Sequence, residues 1–257
     1  MYDPVPDGLD PTAEAVLYEE AAPPPHLGAL VHRFWSLRTS AELRAPFLFH
    51  ALPDACVNLL FNVADPDIAG ITRLRTTATV LDLGRSFHYA GVQLFPGVWR
   101  GAPDDLRDSY VGTPYEGTLP LRGTAHAMRG LAFADQVDVM VRLIDWCVAA
   151  ALVVPDPVTA RILAHLDAIT SVADMARLTG VSPRQLQRLL RRSTGLAPHD
   201  LLKVLRVQQS FRRHHLDLYA DQSQFIHEFR RATGYTPGRF RARYGVRNPQ
   251  DGGTAPR

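Results

Sequence analysis

The chain has 257 residues, 46% hydrophobic and 21% charged, a composition that suits two globular domains with buried cores and excludes fibrous or disordered chains. No apolar run reaches the roughly eighteen residues of a membrane span, and Met1-Tyr2-Asp3-Pro4 is acidic and proline-rich where a secretory leader is basic and then apolar, so a cytoplasmic location is expected. The net charge of +2 conceals an asymmetry: residues 1–153 hold 11 Arg against 18 Asp+Glu, a balance of −7, while residues 154–257 hold 17 Lys+Arg against 8 Asp+Glu, a balance of +9.

In chain order, the acidic part begins with short segments punctuated by Pro, Gly, Asp and Asn: Leu30-Val31-His32-Arg33-Phe34-Trp35, Phe47-Leu48-Phe49-His50, Cys56-Val57-Asn58-Leu59-Leu60-Phe61 and Tyr89-Ala90-Gly91-Val92-Gln93-Leu94-Phe95. Aromatic and β-branched side chains fit a pleated, half-buried surface, so these read as strands of a small sandwich or barrel. Phe34, Trp35, Phe47, Phe49, Phe61, Phe87 and Tyr89 are expected to fill its core, with a ligand-pocket lining as the alternative. Arg33, Arg38, Asn58 and Asn62 alternate with apolar neighbours and point either into such a pocket or into water. Cys56 and Cys147 sit far apart among apolar neighbours, so buried thiols are expected rather than a disulfide or a metal site.

From Leu131 to Leu152 the period changes. Phe133, Val137, Met140, Ile144 and Val148 fall three or four apart, which predicts an amphipathic helix packed on the sheet, on the basic domain or on a second subunit. Val153-Val154-Pro155-Asp156 marks the domain boundary. Beyond it, Asp156 can cap a helix with Pro157 in its first position, and Val158, Ile162, Leu166 and Ile169 form its stripe. Ser171 with Asp174 resembles a capping box for a helix that ends at Gly180; Ser182 then caps a helix that opens on Pro183 and runs to Gly195. A helix, a tight Gly180-Val181 turn and a second helix make a helix-turn-helix.

That second helix has an echo. Leu186-Gln187-Arg188-Leu189-Leu190-Arg191-Arg192-Ser193-Thr194-Gly195-Leu196-Ala197-Pro198 returns, thirty-nine positions on, as Phe225-Ile226-His227-Glu228-Phe229-Arg230-Arg231-Ala232-Thr233-Gly234-Tyr235-Thr236-Pro237. In the first copy Leu186, Leu189 and Leu190 face inward, leaving Arg184, Gln185, Gln187, Arg188 and Arg191 outside. A guanidinium matches guanine's major-groove edge and a glutamine amide matches adenine, so Arg184, Gln187 and Arg188 are the candidate base readers. Ser182, Arg191 and Arg192 are better placed for phosphates. Charge that merely solvates a helix surface is the competing reading, and both the repetition and the charge split weigh against it.

The run from Ser171 to Arg206, with Ala176, Gly180, Ser182, Leu186, Arg188, Gly195 and Pro198, resembles the first helix-turn-helix of AraC/XylS-type transcription regulators. Tyr219 to Phe225, with Gly234-Tyr235-Thr236-Pro237 and Phe240, resembles the signature that closes the second. More loosely, Leu52 to Phe61 and Gly91 to Gly97 resemble the cupin-like N-terminal domain of one subgroup. The resemblance implies an α+β chain: a β-rich, cupin-like sensor or assembly domain over 1–128, a linker helix over 129–153, an all-α helix-turn-helix DNA-binding domain over 154–247 and a disordered tail over 248–257. It places Arg184, Gln187 and Arg188 at base-contacting positions of a first recognition helix near 183–193, and Gln222, Ser223 and His227 at those of a second near 222–232. Double-stranded DNA is the expected partner. RNA polymerase, a small-molecule effector and a second copy of the chain are further partners that the resemblance admits.

One departure stands out. Only fourteen residues separate Arg206 from Asp221, no Gly or Pro breaks Val207 to Leu218, and Leu218 stands where the turn glycine belongs. In register with Met175 and Ala176 of the first motif stand His214 and His215. The second motif thus reads as short by one helix, with few apolar contacts to fix its angle. The first motif is therefore expected to supply most sequence discrimination, and the second mainly phosphate contacts through Arg230 and Arg231.

Other chemistry has weaker signs. His32, His50 and His88 lie on expected strands without a tight His-x-His and carboxylate, and adjacent His214 and His215 on a helix point about 100° apart, so no metal is expected. No serine stands between nucleophile-elbow glycines, so no catalytic residue and no cofactor are assigned. The expectation is a sequence-specific DNA-binding regulator. The alternatives are a cupin-like small-molecule-binding protein or enzyme with an incidental basic domain, and a regulator-derived protein disabled by its short second motif.

Overall fold

The computed structural model describes residues 15–107, 111–212 and 222–244. Its strands are β1 (Val16–Ala21), β2 (Val31–Thr39), β3 (Leu48–Ala51), β4 (Val57–Asn62), β5 (Ala69–Thr72), β6 (Thr79–Asp82), β7 (His88–Leu94) and β8 (Leu106–Arg107). Its helices are α1 (Leu121–Ala127), α2 (Phe133–Ala149), α3 (Pro157–Ala164), α4 (Val172–Thr179), α5 (Pro183–Thr194), α6 (Pro198–Arg212), α7 (Gln222–Thr233) and α8 (Pro237–Tyr244). The architecture is α+β, a β-rich N-terminal part followed by helices. The tail 248–257 lies outside the described residues, as do Tyr219, Ala220, His214, His215 and Leu218.

Six strands form one sheet in the order β1-β2-β7-β4-β5-β8, and β3 pairs with β6 in a small second sheet. Strand alternation gives the large sheet two faces. Phe34, Leu59, Phe61, Ala90, Val92 and Leu94 pack on one face under α1 and α2, where Met140, Leu143, Ile144 and Cys147 are buried. Leu37 and Tyr89 on the other face meet Phe47, Leu83 and Phe87, with Trp35, Phe49 and Leu81 at the margin. Five of the seven expected aromatic residues, Phe34, Phe47, Phe61, Phe87 and Tyr89, thus serve as core, while Trp35 and Phe49 are half-buried. The helix expected over 131–152 packs on the sheet, the first of the three options that its periodicity left open.

The polar residues on that second face are neither free in water nor spare. Arg33 is buried, with Nη1 2.6 Å from Glu20 Oε2. Asn58 reaches Asp54, and Asn62 Oδ1 accepts from the Ala64 and Asp65 N–H groups in the turn after β4. Arg38, in step with Phe34 and Ser36 on the opposite face, pairs with Glu19 at the edge. Cys56 and Cys147 are buried thiols, and burial pushes Cys147 up to about 12.

The boundary at 153–156 is not an open linker. Val154 N–H donates to the Val98 carbonyl (2.9 Å), Arg100 N–H donates to Leu152 (2.7 Å), and Trp99 pairs with Val153 across an isolated bridge. One apolar cluster runs without a break from the sheet through α2 to Ile162, Met175, Leu186, Leu190 and Leu205. The N-terminal and helical parts thus share one apolar cluster.

Candidate nucleic-acid interface

The first motif is built by its caps. Asp156 opens α3 by accepting from Val158 and Thr159 N–H, and Ser171 opens α4 by accepting from Asp174 N–H. The Thr170 and Ser171 hydroxyls and the Thr170 N–H all donate to the Asp174 carboxylate and hold its pKa down at about 2, so it stays anionic at the helix N-terminus. Gly180, with φ of 71°, stops α4. Two residues on, Ser182 accepts from Gln185 N–H (3.3 Å) while Gln185 Oε1 accepts from Ser182 N–H (3.0 Å). This reciprocal box assigns Gln185, which the sequence placed only on the outer face, to the frame of α5.

On α5, Leu186 and Leu190 are fully buried and Leu189 is half-buried. Arg184, Gln187, Arg188, Arg191, Arg192 and Ser182 are all exposed. Among the described residues no carboxylate neutralises Arg184, Arg188, Arg191 or Arg192. The arginines used for construction lie elsewhere: Arg177 pairs with Asp174, and Arg206 on α6 donates to the Thr170 carbonyl at the head of α4. The α5 face is therefore an uncompensated row of donors on a helix whose opposite side is fixed.

The sequence repeat is also a repeat of geometry. In the first copy Thr194 Oγ1 donates to Leu190 O (2.7 Å) and accepts from Leu196 N–H (3.1 Å); in the second, Thr233 Oγ1 donates to Phe229 O (2.8 Å) and accepts from Tyr235 N–H (3.2 Å). Gly195 N–H bonds Arg191 O, and Gly234 N–H bonds Arg230 O. Phe229 is buried where Leu190 is. Ser223, His227, Arg230 and Arg231 are exposed on α7, which Gln222 begins.

The three strand histidines each make a polar contact within the fold. His32 Nδ1 lies 2.9 Å from Gln93 Oε1, His50 Nε2 lies 2.7 Å from Thr233 O, and His88 Nε2 lies 3.3 Å from Ser36 Oγ. Among the described residues, no three His, Cys, Asp or Glu side chains are grouped to hold a metal ion, and no helix is long and apolar enough to cross a membrane.

Comparison with known proteins adds little to this geometry. Residues 19–102, within the β-rich part, match a family model described as a domain of unknown function, DUF6597. A search of curated proteins gave no match. Two crystal structures of ToxT from Vibrio cholerae are similar at low level: one at 9% identity with a TM-score of 0.41, the other, an apo lysine-to-alanine variant, at 8% and 0.40. Each superposition covers 90% of this chain and 98% of the other.

Proposed function

We propose that the chain is a sequence-specific, double-stranded-DNA-binding transcription regulator of the AraC/XylS kind. The observation that carries this reading is the trio Arg184, Gln187 and Arg188, exposed together on the second helix of a capped helix-turn-helix whose apolar side is buried. Those side chains offer the donors and acceptors that major-groove edges accept, and Arg191, Arg192 and Ser182 at the ends of the same helix suit phosphates. The second helix carries Gln222, Ser223 and His227 for bases and Arg230 and Arg231 for phosphates.

The reading calls for no catalysis and no cofactor. In it the β-rich domain is a cupin-like sensor or assembly module. A small-molecule effector is a further partner that this module admits. RNA polymerase and a second copy of the chain are the remaining partners. Selecting bound duplexes from a random pool with the full chain tests the core of the proposal. Recovery of one preferred sequence by the native protein, blurred at defined positions by Arg188→Ala, supports it. Recovery of an unenriched pool counts against it.

A further inference from the structure

The sequence leaves the second recognition helix without the buttressing helix that α4 provides for α5. Among the described residues, part of the seat of α7 comes from the N-terminal domain. Phe229 on α7 and Phe240 on α8 are buried in one cluster with Leu52 of the loop between β3 and β4, and Ala78, just before β6, packs at its edge. Phe211 near the end of α6 closes the cluster, its ring centroid 5.2 Å from Phe229 and 5.0 Å from Phe240. The expected shortage of apolar contacts is thus corrected: Phe211 and Phe240 supply part of them from the neighbouring helices, and Leu52 and Ala78 supply the rest from the N-terminal domain.

Polar groups complete the seat. A helix leaves its last carbonyls without partners of its own. Here His50 Nε2 donates to the Thr233 carbonyl (2.7 Å) and Ala78 N–H donates to the Ala232 carbonyl (2.6 Å), so the small β3–β6 sheet caps the C-terminal end of α7. The His50 ring also lies 5.2 Å from the Tyr235 ring. The loop that carries Leu52 is held in turn. Asp54 accepts from Cys56 N–H (3.0 Å) and from Gln93 Nε2 on β7 (2.6 Å), while buried Gln208 on α6 donates to the Pro53 carbonyl (2.8 Å).

The same strand reaches the first motif. β7 runs on to Pro96, whose carbonyl accepts from Thr159 Oγ1 on α3 (2.7 Å), and to Gly97, which lies against Thr159 and Ser193 of α5. Gln93 on β7, through Asp54, and Pro96 and Gly97 just beyond the strand thus hold the loop beneath α7 and the back of α3 and α5 from one stretch of chain.

We propose that the N-terminal domain is itself the buttress of the second DNA-binding motif, with His50 and Leu52 as positioning residues that aim Ser223, His227, Arg230 and Arg231 at the duplex. This rests on the DNA-binding reading above. It differs from a tethered-domain arrangement because the sensor domain is a structural part of the reading head, so a change in the sheet would move α7 directly.

The test uses the full chain on its selected duplex. The native protein is expected to protect two adjacent tracts about one duplex turn apart. Leu52→Asn should protect only the tract read by α5, bind roughly 10- to 100-fold more weakly, and show a salt dependence shallower by about two phosphate contacts. Leu52→Met, which keeps apolar volume, should restore both tracts. An unchanged footprint and slope in folded Leu52→Asn overturns the proposal. Should that variant unfold by circular dichroism, amide exchange on the native protein decides: protection of the Ala78 N–H supports the seat, and exchange at the rate of an open loop overturns it. A native protein that prefers no duplex, with Ala78 protected, sinks the DNA reading and the positioning role with it while leaving the interdomain seat in place.

Discussion

Asp156 divides its carboxylate between two tasks: Oδ1 accepts from Val158 and Thr159 N–H at the head of α3, and Oδ2 lies 3.0 Å from Arg100 Nη2 in the strand-end loop of the N-terminal domain. The residue that starts the helical domain is therefore also its clamp to the sheet. Asp156→Ala removes both roles and is expected to cost about 1–2 kcal/mol, chiefly the cap. Asp156→Asn keeps the cap acceptor and loses the ion pair, at under about 1 kcal/mol because the Arg100 end is a third exposed. Urea unfolding of the two variants should rank them in that order.

Gly97 has φ of 79°, and a Cβ there would come within 2.9 Å of Thr159 Cγ2 and 3.2 Å of Ser193 Oγ. Gly97→Ala therefore adds backbone strain and pushes the loop away from the back of α5. The variant is expected to lose about 1–3 kcal/mol, and its thermal midpoint should fall while Gly112→Ala, which meets no neighbour, pays only the backbone term.

Acid should loosen the α7 seat. Burial, the largest cause, lowers the His50 pKa; the Thr233 carbonyl opposes it, and the nearby Arg243 charge adds a smaller lowering effect. His88 is lowered likewise, by burial and Arg38. Below the ordinary value of about 6.5 the unfolded chain takes up protons that the folded chain resists, so stability present above that pH is lost as the pH falls toward the depressed values. Thermal midpoints measured from about pH 7.5 down to about 5.5 should decline, and His50→Gln should flatten part of that decline. An equal decline in His50→Gln would remove His50 from the explanation.

The sequence disclosed whatever local chemistry controls. Asp156, Ser171 and Ser182 cap as their types and spacing require, Gly180 and Gly195 stop their helices, and the strands around Phe34, Leu59 and Val92 follow from alternation. Less regular strands escaped it. β1 carries Glu19-Glu20, β5 is interrupted by Gly70, and β6 alternates over only four residues. α1 was hidden by Gly123. The seat of α7 had no signal at all: His50 and Thr233 are 183 positions apart, and their contact depends on a strand end meeting a helix end. The exposed trio on α5 was legible because helical periodicity fixes which side chains face outward, whereas the support of α7 came from a domain that periodicity cannot connect to it.

Loss of the second reading head should be partial. His227→Ala is expected to weaken binding less than Arg188→Ala, because α5 is fixed by three neighbouring helices, α3, α4 and α6, and α7 depends on the interdomain seat. Competition between native and single-base-changed duplexes should show blurred preference in the α5 tract only for Arg188→Ala, by roughly 1–3 kcal/mol at the position it reads. Equal blurring of the α5 tract by His227→Ala would contradict this division.

The most direct measurement is equilibrium binding of the native chain and Arg184→Ala/Gln187→Ala/Arg188→Ala to its selected duplex and to a scrambled one, across rising salt. Native binding should fall steeply with salt while keeping a preference of at least roughly a thousandfold for the selected duplex, and the triple variant should retain most of the salt slope and lose most of the preference. Equal binding of both duplexes by the native protein, or an unaltered preference in the triple variant, would contradict a DNA-reading role for this helix.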